Sequence, residues 1–418
     1  MGSNSHRAIV VGLDCYGLSS WSGRESLLEL SELAVTAGLQ VEGSFLQRLK
    51  SANPISYIGK GKVNFLKSFI IEHDIVVFIA DDELNPRQYI FLQTELKIKI
   101  LDRTSLILDI FSTRASSYEA QLQIELAQLM YLLPRLRRMW THLSRLGGNI
   151  GTRGPGETQL EVDRRQIKKK INFIHSKLLK VQQQRYLRRE KRQLSTCIKG
   201  ALVGYTNAGK STLMKKLTQS DVFIEDKLFA TLDPLTRRFF LSDEYDITLT
   251  DTVGFIQKLP HHLVDAFQST LEELKYADFL IHVVDVSHPN LGGVLKTSQQ
   301  LISQLCDREV LILYVFNKSD CCFKMNQIKQ EIASYQPQVF ISALDLSGVE
   351  TLKNKLKEVL VSFVKTYDFV ISNHRMDLVN LFYVYGYVLS IDFKDKVYVT
   401  VKMSSVNAEK ILSLLTDE

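Results

Sequence analysis

The sequence predicts a multidomain α/β chain in which a long helical hairpin separates two parallel-sheet units. Three observations predict it. Short apolar runs alternate with amphipathic stretches over residues 7–113 and again over 197–366, the pattern of strands joined by crossover helices. Between them, residues 116–194 carry a heptad-like apolar seam and no strand pattern. Charge divides the same way: residues 114–199 hold 19 Lys/Arg against 6 Asp/Glu, a net +13, which leaves −7 for the rest.

Length and composition set the frame. At 418 residues, 45% hydrophobic and 23% charged, the chain has material for several globular cores. No apolar run reaches 18 residues and the opening "MGSNSHRAIVVGLD" lacks a cleavage pattern, so neither a membrane span nor a secretory signal is expected. Five cysteines without metal-type spacing read as free thiols in a reducing cytosol, and a cytoplasmic monomer is the expectation.

The elements follow in order. In residues 1–115, "RAIVVGL", "LQVEGSF", "DIVVFIA" and "KIKIL" read as strands of an N-terminal α/β domain. "YIGKGKV" (57–63) has glycines and lysines suited to phosphate but no GK[ST] ending, and reads as a strand-to-helix turn. In residues 116–195, Leu122, Leu126, Leu129, Leu133, Leu136, Trp140 and Leu143 form one stripe. Leu160, Ile167, Ile171, Ile174, Leu178 and Val181 form its match, as two antiparallel helices require. Capping boxes are expected at Ser116/Glu119 and Thr158/Glu161, and a kink at Pro134. The glycine-rich tip, 147–157, lies within "GGNIGTRGPGETQLEVDRR". Residues 196–367 form a second strand–helix alternation. Residues 368–418 read as a small α/β domain: a helix near 374–384, strands in "GYVLSIDF" and "KVYVTVKM", and a helix from Ser405.

The chemistry lies in the second alternation. "GYTNAGKS" (204–211) follows an apolar strand and precedes "TLMKKL", as a phosphate loop must. Gly204, Asn207, Ala208 and Gly209 would wrap the phosphates, Lys210 would reach the β/γ oxygens, and Ser211 would offer its hydroxyl to Mg²⁺, with Thr212 beside it. "DTVG" (251–254) supplies Asp251 on the metal side and the Gly254 N–H for the γ-phosphate. "NKSD" (317–320) supplies Asn317, Lys318 and Asp320; the Asp320 carboxylate can accept from guanine N1–H and its amino group, a donor pair adenine lacks. "SAL" follows the next strand, with Ser342 and with Ala343 N–H for the guanine O6. Four elements in this order predict a P-loop GTPase fold, a doubly wound sheet that hydrolyses GTP to GDP and phosphate. Thr231 is the expected switch threonine on Mg²⁺ and the γ-phosphate, with Thr236 as competitor; Lys210, Thr231 and Gly254 form the catalytic set. Phe255 stands where Ras-type GTPases hold a water-orienting glutamine, so slow intrinsic hydrolysis is expected.

With these residues in hand the chain resembles the HflX family of translation-factor-class GTPases over almost its whole length. The resemblance rests on "DRTSLILDIFSTRA", "QLQIELAQLMYLLPRL" and above all "GTRGPGETQLEVDRR", joined by "LVGYTNAGKSTL", "LFATLDP", "DTVGFI", "LPHHLVDAFQSTLEEL" and "VVDVSHP". Asn149 and Leu235 depart from the family pattern, away from the nucleotide-contacting positions. The resemblance implies binding to the large ribosomal subunit and GTP-dependent splitting of stalled or idle ribosomes. The glycine tip would then enter a narrow RNA cavity, with Arg138, Arg145, Gly151, Arg153, Gly154, Arg164, Arg165 and Lys168 meeting ribosomal RNA. Three other readings stay open: a GTP-timed RNA chaperone or assembly factor, a nucleotidase using ATP through residues 7–113, and a regulatory GTPase whose basic segment is a solvated helix face.

Overall fold

A computed structural model describes residues 6–15, 21–146, 159–193, 198–219, 228–229, 234–242, 245–258, 274–306, 310–322 and 325–416. The first unit alternates β1 (Arg7–Cys15), α1 (Gly23–Thr36), β2 (Gln40–Leu49), α2 (Lys60–Glu72), β3 (Val77–Ala80), α3 (Pro86–Leu96), β4 (Lys99–Asp102) and α4 (Arg103–Arg114). The strands pair in the order β2-β1-β3-β4, all parallel. Alternate residues of β1 serve the two faces: Ala8 and Val10 meet α1 and α4, while Ile9 and Val11 meet α2 and α3. Local chemistry sets the ends. Ser22 caps α1 in a box with Glu25, and Asn85 caps α3 in a box with Gln88. "YIGKGKV" turns into α2, whose N-cap Gly59 makes no side-chain cap bond.

Two long helices follow, α5 (Tyr118–Leu146, 29 residues) and α6 (Gln159–Gln193, 35 residues). At 1.5 Å per residue they reach about 44 and 52 Å. Leu122, Leu126 and Ile174, with Leu129, Ile171 and Leu178 around them, form the seam between them. Ser117 rather than Ser116 caps α5, its hydroxyl accepting from the Ala120 N–H, because the helix begins one residue later than the box pattern places it. Pro134 sits inside α5, which runs on through it to Leu146. The middle of α5 is tied to the first sheet: Tyr131 donates to Asp102, and Arg135 reaches Glu83, Asp102 and the Leu84 carbonyl.

The third unit holds β5 (Ile198–Gly204), α7 (Lys210–Thr218), β6 (Leu235–Ser242), β7 (Tyr245–Asp251), β8 (Phe279–Asp285), α8 (Leu291–Leu305), β9 (Leu311–Asn317), α9 (Met325–Glu331), β10 (Gln338–Phe340) and α10 (Leu346–Phe363). Its strand order is β10-β9-β8-β5-β7-β6, parallel except for the antiparallel β6. The last unit begins with β11 (Val364–Ile371), immediately after α10, so its sheet starts at Val364 rather than at 368. A 3-10 segment (Asn373–Leu378), α11 (Val379–Tyr385), β12 (Tyr387–Phe393), β13 (Val397–Ser404) and α12 (Ser405–Thr416) complete it. Its antiparallel sheet, β11-β13-β12, encloses a separate core of Phe369, Phe382, Val399 and Val401. The expected helix near 374–384 is thus split, with non-helical backbone at Arg375.

Candidate nucleotide site and the surfaces that touch it

The predicted nucleotide residues converge at the carboxyl ends of β5, β7, β9 and β10. Gly209 has φ 95°, and a Cβ there would lie 2.2 Å from Asn317 Nδ2. That side-chain-free position lets Asn317 donate to the Ala208 carbonyl at 2.8 Å while accepting from Ala343 N–H at 2.8 Å. One amide therefore staples the phosphate loop to the base-side loop. Lys210 is buried and donates to the Gly204 and Tyr205 carbonyls at 3.0 and 2.7 Å; burial pushes its ammonium down to about 8. Gly254 closes against this corner, where a Cβ would sit 2.8 Å from Thr206 Cα and 2.9 Å from Lys210 Nζ. Ser211 donates to Asp251 Oδ2 at 2.7 Å. Thr212 continues α7.

On the base side, Lys318 adopts φ 59° and pairs with Asp285 at 2.7 Å. Asp320 stays exposed, and a hydrogen bond with Ser342 holds its carboxyl below the ordinary range. Phe255 is buried beside Tyr205 and Leu280, and its backbone pairs with the phosphate loop through Phe255 N–H to Gly204 O and Thr206 N–H to Phe255 O. Thr236 lies in β6, its hydroxyl 3.0 Å from that of Thr250 across the strand pair. Thr231 and the tip residues Gly151, Arg153 and Gly154 lie outside the described residues, as do the side chains of Arg138 and Arg145 on α5. Arg164, Arg165 and Lys168 are exposed on α6.

Sequence reasoning missed a second set of residues, those joining the first unit to the nucleotide site. Arg103, at the start of α4, is almost wholly buried. Its guanidinium meets Asp81 at 2.6 Å, Glu29 at 3.5 Å, the Ser26 carbonyl at 2.8 Å and the Gln257 carbonyl at 3.4 Å. Tyr205, inside the phosphate loop, donates to Glu29 at 3.0 Å, and Gln257 N–H donates to the same carboxylate at 3.2 Å. Lys258 pairs with Asp81 and Asp82 at 2.5 and 2.6 Å. Trp21 stacks on Tyr205, and Arg114 donates to the Phe229 carbonyl at 2.8 Å. Leu228, Phe229, Val253 and Ile256 belong to the same apolar cluster as α1, α4 and β1. Arg103 and Arg114 fall in "DRTSLILDIFSTRA", Tyr205 in "GYTNAGKS", Leu228 and Phe229 in "LFATLDP", and Val253 and Ile256 in "DTVGFI", while Glu29, Asp81, Gln257 and Lys258 fall in no such stretch; no spacing rule links positions 29, 81, 103 and 257.

A phosphate loop on the central strand, an Asp-x-x-Gly turn beside it and an Asn-Lys-x-Asp loop on β9 define a P-loop GTPase, and the protein is an enzyme that hydrolyses GTP. Family profiles match in sequence along the chain: "GTP-binding GTPase N-terminal" at residues 24–112, "GTP-binding GTPase Middle Region" at 114–192 and "50S ribosome-binding GTPase" at 199–318. GTPase HflX of Caldanaerobacter subterraneus subsp. tengcongensis is 44% identical over 95% of this chain and 90% of its own length. That of Alkalihalophilus pseudofirmus is 45% identical over 83% of this chain and 81% of its own, and that of Escherichia coli 39% over 80% and 79%. The chain belongs to the HflX family of GTPases. No helix among the described residues is long and apolar enough to cross a membrane.

Proposed function

We propose that this GTPase binds the large ribosomal subunit through its basic hairpin and, in the GTP state, splits stalled or idle ribosomes. The observation that carries the reading is the hairpin itself: two antiparallel helices of 29 and 35 residues, on which Arg164, Arg165 and Lys168 are exposed just beyond residues 147–157. A cationic rod of that reach delivers a glycine-rich backbone to a polyanion, with phosphates as the first contact. Support also comes from the profile over residues 199–318, described as a 50S ribosome-binding GTPase. Splitting follows if the protein binds the free large subunit more tightly than the intact ribosome, since a ligand moves an equilibrium only by differential affinity. Hydrolysis then serves release.

At the nucleotide, Lys210 meets the β/γ oxygens, Asn317 and Ala343 hold the base-side loop, and Asp320 selects guanine. The Ser211 hydroxyl and Asp251 carboxylate, 2.7 Å apart, are hard oxygen donors of the kind Mg²⁺ takes, and Thr231 is their proposed third partner. Bound there, Mg²⁺ would neutralise charge developing on the phosphates. Thr236 is the weaker candidate because its hydroxyl already faces Thr250 within the sheet. Phe255, apolar and buried, cannot orient water, so the enzyme alone turns over slowly and the ribosome supplies the stimulation.

The test compares GTP turnover of the protein alone, with purified large subunits, and with residues 147–156 shortened. Strong stimulation that the shortened loop loses is the expected result. Sucrose gradients with a non-hydrolysable GTP analogue should show ribosomes converted to subunits. Intact ribosomes alongside salt-sensitive RNA binding would replace this reading with a GTP-timed RNA chaperone or assembly factor.

A further inference from the structure

Glu29 lies on α1 of the first unit, yet both oxygens of its carboxylate bond to the GTPase unit. It is buried, with Oε2 accepting from the Tyr205 hydroxyl at 3.0 Å and Oε1 from Gln257 N–H at 3.2 Å. Burial and the neighbouring carboxylate push the Tyr205 hydroxyl well above its ordinary value, so it stays protonated and donates. Were Glu29 only a counter-ion for Arg103, the guanidinium would be its closest partner. Instead Arg103 stands 2.6 Å from Asp81 and 3.5 Å from Glu29, beyond a good hydrogen bond.

The two groups it bonds belong to the two arms of the nucleotide site. On the first arm, the Tyr205 carbonyl accepts from Lys210 Nζ together with the Gly204 carbonyl. An ammonium has three N–H donors, so with two fixed by the loop the third is left for the β/γ oxygens. The place of Tyr205 therefore sets the place of Lys210. Its ring is held from outside the GTPase unit, by Glu29 and by Trp21 stacked at 5.8 Å. On the second arm, Gln257 lies three residues beyond Gly254, the proposed γ-phosphate donor. Gln257 N–H goes to Glu29 and its carbonyl accepts from Arg103, so the first unit holds both backbone groups. The arms also meet directly, through Phe255 N–H to Gly204 O and Thr206 N–H to Phe255 O. A Cβ on Gly254 would lie 2.9 Å from Lys210 Nζ, which puts the two phosphate donors side by side. Donors preset in this way need no reorganisation at the moment of reaction.

We propose that Glu29 is a positioning residue for GTP hydrolysis. Its two carboxylate oxygens set the phosphate loop and the segment after Gly254 against each other, so that Lys210 and Gly254 N–H converge on the γ-phosphate. The first unit thereby completes the GTPase site. The inference concerns the hydrolytic step and stands whether or not the ribosome is the partner.

Single-turnover GTP hydrolysis by the full-length protein without ribosomes reads the rate at saturation, and GDP affinity, measured separately, reports folding and ground-state binding. Glu29→Ala should slow hydrolysis about tenfold or more, and Tyr205→Phe, which removes one arm and keeps the ring, about threefold. Both should hold GDP affinity within about threefold of the parent. Glu29→Gln keeps an acceptor oxygen and the side-chain size, and should recover part of the loss. The double variant Glu29→Ala/Tyr205→Phe should be no slower than Glu29→Ala alone, because the hydroxyl acts through that carboxylate. If Glu29→Ala does not fold, Tyr205→Phe and Glu29→Gln carry the test. The proposal is overturned if Tyr205→Phe hydrolyses GTP at the parent rate. It is equally overturned if either single variant is faster than the parent, as release of a restraint would give, or if the loss falls on GDP affinity and leaves the rate unchanged.

Discussion

At the scale of single residues, Arg103 concentrates the most consequence. Its guanidinium meets Asp81 and Glu29 and donates to the backbone carbonyls of Ser26, Asp81 and Gln257 at once. Removing it leaves Glu29 with neutral donors only and Asp81 with Lys258 as its remaining cation, and breaking a buried pair in this way costs about 3–5 kcal/mol. Arg103→Ala should therefore lower the denaturant midpoint sharply, and Arg103→Lys should recover little because one ammonium cannot replace a five-donor fork. The two carboxylates respond to pH with opposite signs. Burial, only partly offset by Arg103, raises Glu29, so its contribution is present below the ordinary pKa and lost as pH rises through the raised one. Burial opposes the charge of Asp81 too, but Arg103 and Lys258 outweigh it and hold the carboxyl below its ordinary value. That contribution is present above the ordinary value and lost as pH falls through the depressed one. Unfolding free energy should thus rise as pH falls through the raised Glu29 value towards the ordinary carboxylate range, and fall as pH drops further through the depressed Asp81 value. Glu29→Gln should flatten the first slope and leave the second, which urea titrations across that range would read.

At the scale of elements, the hairpin separates two jobs along its length. At mid-helix, Tyr131 and Arg135 lock α5 to the ends of β3 and β4, so the first half of the helix is fixed to the body. Nearer the start of α5, the Leu122, Leu126 and Ile174 seam holds the two helices together, while Arg164, Arg165 and Lys168 are exposed towards the tip end of α6. Replacing exposed Arg164, Arg165 and Lys168 together by Ala should leave folding stability within about 0.5 kcal/mol. If the three meet phosphates, the same variant should weaken RNA binding and reduce the slope of log K against log salt by about 2–3. An unchanged slope would take these residues out of the contact.

At the scale of the whole molecule, the described units are not equally coupled. Leu228, Phe229, Val253 and Ile256 share a hydrophobic cluster with the first sheet, and Tyr205 reaches across to Glu29. The C-terminal sheet has a core of its own and meets the rest chiefly through the α10–β11 junction. Ligand binding stabilises whatever is folded together with the site. GDP should therefore slow amide exchange in α1 and at the carboxyl ends of β1 and β3, and leave β11, β12 and β13 unchanged. Hydrogen-exchange mass spectrometry with and without GDP tests this directly.

How much of this was legible in the sequence varies by kind of interaction. The phosphate loop, the Asp251–Gly254 turn and the Asn317–Asp320 loop could be read because each depends on contiguous residues following an apolar strand. The hairpin was legible because its seam repeats every three or four residues. By itself, then, the sequence determined the class of enzyme, the order of its units and the basic rod, all features of local spacing. Only the tertiary structure decided that a buried guanidinium joins positions 29, 81 and 257, and that β11 begins the last sheet. Those contacts join residues up to more than two hundred positions apart, and their geometry follows from how sheets and helices dock, which no local period encodes.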